Sequence, residues 1–160
     1  MQRQNAKCFL TIHLKSIVFA YLFSGFELNE VQASSLIEHH FDEQWAARTP
    51  INWDNDNATP SGNHVAFTII HATARLDNLG NGDGTSTTYR TGLVTVQVFT
   101  RQGTGTEESR DLSLQARQIL EGFRSGSLRL KAGVARQVGE DGNGFWQTNV
   151  DVPFEYYDAG

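Results

Sequence analysis

Val94, Val96 and Val98 alternate with Thr95, Gln97 and Phe99, a period of two that predicts a half-buried strand over Tyr89–Arg101. The segment Arg101-Gln-Gly-Thr-Gly-Thr106 ends that strand, because its two glycines disfavour a regular extended backbone. The period then changes. Leu112, Ala116, Ile119, Leu120 and Phe123 share one face at helical spacing, while Glu108, Arg110, Gln115, Arg117 and Arg124 lie mostly elsewhere. Thr104 with Glu107 has the form of a capping box, and Thr106 alone is an equally good N-cap. This passage supplies a scaffold and no reacting group.

Upstream, Ile37, Phe41 and Trp45 recur every four residues, with Val31 and Ala33 one to two turns earlier, which predicts a helix over Asn29–Ala47. Asn29 is its candidate N-cap, and Pro50 requires it to end by Thr49, since a residue before proline avoids the helical region. Thr49–Asn63 is rich in Pro, Asn and Asp and reads as an irregular loop anchored to the core by Ile51 and Trp53. A second strand, His64–Arg75, puts Val65, Phe67, Ile69 and His71 on one face. The Gly-rich excursion Leu76–Thr88 joins it to Tyr89–Arg101 as a long antiparallel hairpin.

Beyond the second helix, Leu128–Lys131 and Gly133–Val138 read as one bent or bulged strand. Glu140-Asp-Gly-Asn-Gly144 is a turn whose Asp-Gly and Asn-Gly pairs favour positive φ. In the closing segment Trp146, Thr148, Val150, Val152, Phe154 and Tyr156 alternate with Phe145, Gln147, Asn149, Asp151 and Glu155. Pro153 cannot donate to a ladder and predicts an edge position or a bulge. The order helix, strand, strand, helix, strand, strand predicts an α+β fold. Its expected form is a single antiparallel, at most mixed, sheet of about four strands with two α-helices on one face.

Length adds that 160 residues make one domain, able to bury a core without staples. Residues 1–27 are the odd part, an irregular apolar extension ahead of a domain over 28–160. Three readings of it stay open: a signal peptide with a cleavage site at Val31-Gln-Ala33, a buried or docking helix, and an upstream extension of the gene. Its uninterrupted apolar run, Ser16–Phe26, is shorter than the ~20 residues that span a bilayer.

The net charge is −5, and the first 27 residues carry +2 of it, which leaves −7 for the rest. An acidic body argues against gripping nucleic-acid phosphates and is compatible with a surface that DNA slides past. Cys8 is the only cysteine, so no internal disulfide and no Cys-based zinc site can form.

Candidate chemistry is thin. His39 and Glu43 at i, i+4 could share a metal, but a solvated helix face explains them better; His39 and His40 diverge by about 100°. Asp54-Asn-Asp56-Asn57 opens like a calcium loop but lacks the Gly and the distant Glu. Leu79–Gly84 resembles one turn of a calcium-binding nonapeptide repeat, an architecture that needs several. Gly103-Thr-Gly105 lacks the remaining elements of a phosphate loop. The histidines show no nucleophile partner in sequence, and His71 reads as a core or interface histidine. No catalytic residue, cofactor or metal is expected.

Taken in order, the short helix ending near Trp45, the loop TPINW, and the hairpin HVAFTIIHATAR…YRTGLVTVQVFTRQGTGT make one pattern. With the DGNG turn and FWQTNVDVPFEYYD, Asn29–Asp158 resembles the tail terminator, or tail completion, proteins of long-tailed bacteriophages, the lambda-like group. The resemblance implies a structural virion protein, made in the host cytoplasm and placed at the head-proximal end of the tail. It implies a homo-hexameric ring that caps the tail tube, stops its polymerisation and meets the head-neck connector. DNA would pass through the lumen without specific binding, and no membrane would be involved. Head-to-tail assembly needs two complementary patches. The candidates are Trp53, Asp54 and Asp56 in one loop, and Asn78, Asn81, Asp83, Tyr89 and Arg90 in or beside the hairpin tip. Two alternatives remain: another neck or connector protein, or an exported non-enzymatic binding module if residues 1–33 are a signal peptide.

Overall fold

The computed structural model describes residues 28–56, 60–78 and 86–159. The expectations for residues 1–27 and for Asn81 and Asp83 at the hairpin tip lie outside the described residues.

Helix α1 spans Glu30–Trp45. Its start is fixed reciprocally: Gln32 N donates to Asn29 Oδ1 and Asn29 N donates to Gln32 Oε1, both at 2.9 Å. Ala33, Ile37, Phe41 and Trp45 form its buried stripe. Val31, placed by sequence on the same stripe, is 74% exposed, so the buried stripe begins at Ala33. The helix stops at Trp45 because Ala46 and Ala47 turn left-handed, with φ of 47° and 59°. Arg48 closes that end by donating to the carbonyls of Gln44 and Trp45.

The strands are β1 (Ile51–Trp53), β2 (His64–Asn78), β3 (Thr87–Arg101), β4 (Arg124–Ser125), β5 (Leu128–Leu130), β6 (Val134–Glu140) and β7 (Phe145–Ala159). They join in the order β1-β2-β3-β7-β5-β4, with β6 also paired to β7. The β3–β7 pairing runs unbroken from Thr87↔Ala159 to Arg101↔Phe145. Its register puts Val94, Val96 and Val98 beside Val152, Val150 and Thr148 on one face, which is the core face. Strand β2 adds Val65 and Phe67 to that face. A bulge between His71 and Thr73 then reverses the alternation, so Thr73 and Arg75 share the opposite face with Thr91 and Tyr89. Gly92 sits at this crossing, where a Cβ would lie 2.5 Å from the Ile70 carbonyl oxygen and clash with the Phe154 ring.

Helix α2 spans Glu107–Leu120 and buries Leu112, Ala116 and Leu120 together with Ser109 and Ser113. The serines are accommodated by bonds: Ser109 Oγ lies 2.7 Å from Thr148 Oγ1, and Ser113 Oγ donates to the Ser109 carbonyl at 2.6 Å. The expected Thr104 capping box does not form. Thr106 is the N-cap without a side-chain bond, and Thr104 Oγ1 turns back to the Arg101 carbonyl at 2.8 Å.

The expected sheet of about four strands is corrected: seven strands form a curled, mixed half-barrel with two helices, so the chain is mostly β. Two of the added strands, β1 and β4, have only three and two residues, too short to show a period. The loop assigned to Thr49–Asn63 contains β1, which pairs parallel to β2 through Ile51↔Val65 and Trp53↔Phe67. The single bent strand expected after α2 is two strands, β5 and β6, docked on different halves of β7. Pro153 is accordingly not on an edge. It sits at the break between Asp151, paired to β6, and Phe154, paired to β5, where a missing N–H costs no ladder bond on that side.

Candidate functional site

The candidate residues fall into two groups at opposite ends of β2. Trp53 is aligned with Phe67, whereas Tyr89 is aligned with Arg75, eight residues further along β2. At ~3.3 Å per residue the groups are roughly 26 Å apart. They do not form one site.

At the first end, Trp53 is half-buried, its ring 5.2 Å from that of Phe67. Beside it, Asp54 Oδ1 accepts from Thr68 Oγ1 at 2.9 Å. Asp56 is exposed after a turn closed by its N–H to the Trp53 carbonyl at 3.0 Å, with Asn55 left-handed. Helix α1 brings Glu38 and Asp42 to the same edge, where they line a shallow hollow of about 320 Å³ with His39 and Trp53. Partial burial and then the charge of Asp54 hold the Glu38 carboxyl above its ordinary pKa.

At the second end, Tyr89 and Arg90 point to opposite faces. The Tyr89 hydroxyl donates to Glu155 Oε2 at 2.5 Å, and Lys131 Nζ reaches the same oxygen at 2.5 Å. The bonds from Lys131 and Tyr89 hold Glu155 below the usual carboxylate range, and the bond to Glu155 pushes the Tyr89 phenol up. Arg75 and Tyr157 flank the ring at 5.5 and 5.3 Å. Arg90 Nε donates to Asp158 Oδ2 at 2.8 Å, clamping β3 to β7. Asn78 ends β2, with its backbone aligned to Thr87.

Two arrangements escaped the sequence. Ser34 Oγ lies 2.9 Å from His71 Nε2, and the Tyr156 hydroxyl lies 3.3 Å from His71 Nδ1, joining residues 37 and 85 positions apart in sequence. A serine beside a histidine is a nucleophile–base pair in form. Here the third member is a phenol pushed up to about 12, chiefly by burial, in place of the carboxylate that would stabilise an imidazolium. Burial also lowers the His71 pKa, which favours the neutral ring. The arrangement is a part-buried network in which both ring nitrogens of His71 have a partner. His40, which the sequence reading set apart from His39 as pointing elsewhere, hydrogen-bonds the Ile119 carbonyl at 2.9 Å and stacks on Phe123. Among the described residues no three His, Cys, Asp or Glu side chains gather as a metal site.

The second missed feature is a groove of about 250 Å³ between α2 and β6, lined by Arg110, Ser113, Leu114, Arg117, Ala135, Gln137 and Thr148. Arg110 and Arg117 are two helical turns apart with Leu114 between them, a spacing that was present in the sequence as the polar side of an amphipathic helix. The opposite face of the sheet carries no helix among the described residues and mixes Thr68, Thr95, Gln97 and Asn149 with Ile70 and Leu93.

Among curated proteins none is significantly similar in sequence. Solved structures do match: one is 20% identical over 79% of this chain and 95% of its own, with a TM-score of 0.52. At that identity the match establishes the fold alone. A family model described as phage tail terminator protein matches residues 32–154, from the first turn of α1 to the last third of β7. With most of the chain covered, the protein belongs to the phage tail terminator family, and its role is structural, in tail assembly.

Proposed function

We propose that the protein caps the phage tail tube at its head-proximal end, halts tube polymerisation and forms the ring that joins tail to neck. The observation that carries this reading is the family match over residues 32–154. Two physical features support it. The two sheet edges differ, β1 with α1 at one and β6 with α2 at the other, and unlike patches are what head-to-tail ring closure requires. The net charge of −7 over residues 28–160 suits a lumen through which a polyanion passes without being held. On this reading a hexamer presents the Trp53–Asp56 loop and the hairpin tip to its neighbours, and 28–160 is the assembling domain.

Negative-stain electron microscopy of lysates from phage with this gene disrupted tests the reading. Abnormally long, headless tails beside filled heads are expected. Tails of normal length would exclude a length-terminating role and shift the assignment to another neck component.

A further inference from the structure

The helix layer divides the molecule's charge between its two edges. Glu38 and Asp42, one helical turn apart, face away from α2, since His40 on the other side of α1 contacts Ile119 and Phe123. With Asp54 and Trp53 they form an acidic edge beside β1. The groove between α2 and β6 is its opposite in sign. Arg110 has no carboxylate within ion-pair distance among the described residues. Arg117 Nε lies 3.6 Å from Glu121 Oε2, an ion-pair distance but too long for a hydrogen bond, and this buried N–H is left without an acceptor. A buried donor without an acceptor is costly, so an incoming carboxylate gains more there than on open surface.

The two edges are separated by the width of the sheet. From β1 through β2, β3 and β7 to β6 there are four strand spacings, roughly 19 Å at ~4.8 Å each. Neither edge can therefore reach the other within one molecule. The apolar parts match as well: Leu114, 42% exposed, stands between the two arginines, and the half-buried Trp53 stands beside the acids. Aromatic and arginine side chains are the groups that most often anchor interfaces.

We propose that the Arg110–Leu114–Arg117 groove of one copy receives the Glu38–Asp42–Asp54 edge of a second copy, with Trp53 seated against Leu114. The contact is heterologous, so repetition propagates in one direction and closes when the rotation allows. This inference rests on the ring reading above and gives the Trp53–Asp56 loop its counterpart on the neighbouring copy, a pair of surfaces separate from any contact at the hairpin tip.

The test is native mass spectrometry of the full chain and of two double variants, Arg110→Glu/Arg117→Glu and Glu38→Lys/Asp42→Lys. Each variant alone is expected to associate at least about tenfold more weakly than wild type. An equimolar mixture is expected to recover the wild-type mass, because every reversed groove then meets a reversed edge. Circular dichroism checks that the variants fold, and Arg110→Gln/Arg117→Gln gives the milder version of the groove lesion. Unchanged assembly of both double variants, or no recovery on mixing folded variants, overturns the interface. The ring reading survives that result if disruption of the gene still gives overlong tails. A wild-type chain that never self-associates also overturns the interface, and the tail phenotype then judges the ring reading separately.

Discussion

His71 is bonded at both ring nitrogens, to Ser34 and Tyr156, and lies inside the sheet where the β2 bulge reverses the strand. Its pKa is lowered by burial first; Glu30 opposes the shift and Arg90 adds to it. The sign of the consequence is fixed by linkage. Below the ordinary histidine value of about 6.5 the unfolded chain binds a proton that the folded chain resists. The contribution of His71 to stability is therefore fully present above that value and is lost as pH falls toward the folded value. Urea unfolding at about pH 7.5 and about pH 5.5 is expected to show wild type losing more stability than His71→Gln, which keeps hydrogen-bonding capacity without the titration. Equal losses would mean that the ring protonates as easily folded as unfolded. The residue type gave fair warning, since a histidine among Val65, Phe67 and Ile69 belongs to the core face; its partners did not, because Ser34 is on a helix and Tyr156 near the far end of the chain.

At the scale of elements, α1 is held by its ends as much as by its stripe. Asn29→Ala removes the acceptor for Gln32 N and leaves the return bond from Gln32 without its counterpart. The expected cost is about 1 kcal/mol, read as a lower urea midpoint at unchanged slope. No change in midpoint would show that the first turn contributes nothing to the folded state. This cap was legible from Asn29 alone, as were both helices and the three long strands, because each has a local pattern of sufficient length. Strands β1 and β4 were not legible: two or three residues carry no period, and their pairing is decided by residues distant in sequence. Strand β6 was legible, but only as one bent strand with β5 and not as a separate one. The exposure of Val134 and Val138, each 58%, removes the alternation that would have set it apart. The acidic residues of the Trp53 loop were visible as an exposed cluster, whereas the arginine groove exists only once β6 is laid beside α2.

The whole molecule is organised around one core face whose buried apolar side chains, among the described residues, run from Leu28 to Tyr156. Leu28 is 7% exposed and belongs to that core, and Asn29 immediately begins the cap of α1. The family match begins a few residues later, at 32. We propose residue 28, the boundary expected from the sequence, as the start of the assembling domain. The physical basis is that the largest buried side chains, Trp45, Tyr156, Phe41, Phe67 and Phe154, are contributed by α1, β2 and β7 and contact one another through Phe41–Trp45, Phe41–Phe67 and Phe154–Tyr156. A chain beginning at Leu28 is accordingly expected to unfold in a single cooperative transition, with a midpoint close to that of the full chain. Differential scanning calorimetry of the two chains checks this. A midpoint lowered by about 4 °C or more, on the order of 1 kcal/mol for a domain of this size, would assign residues 1–27 to the folded core instead.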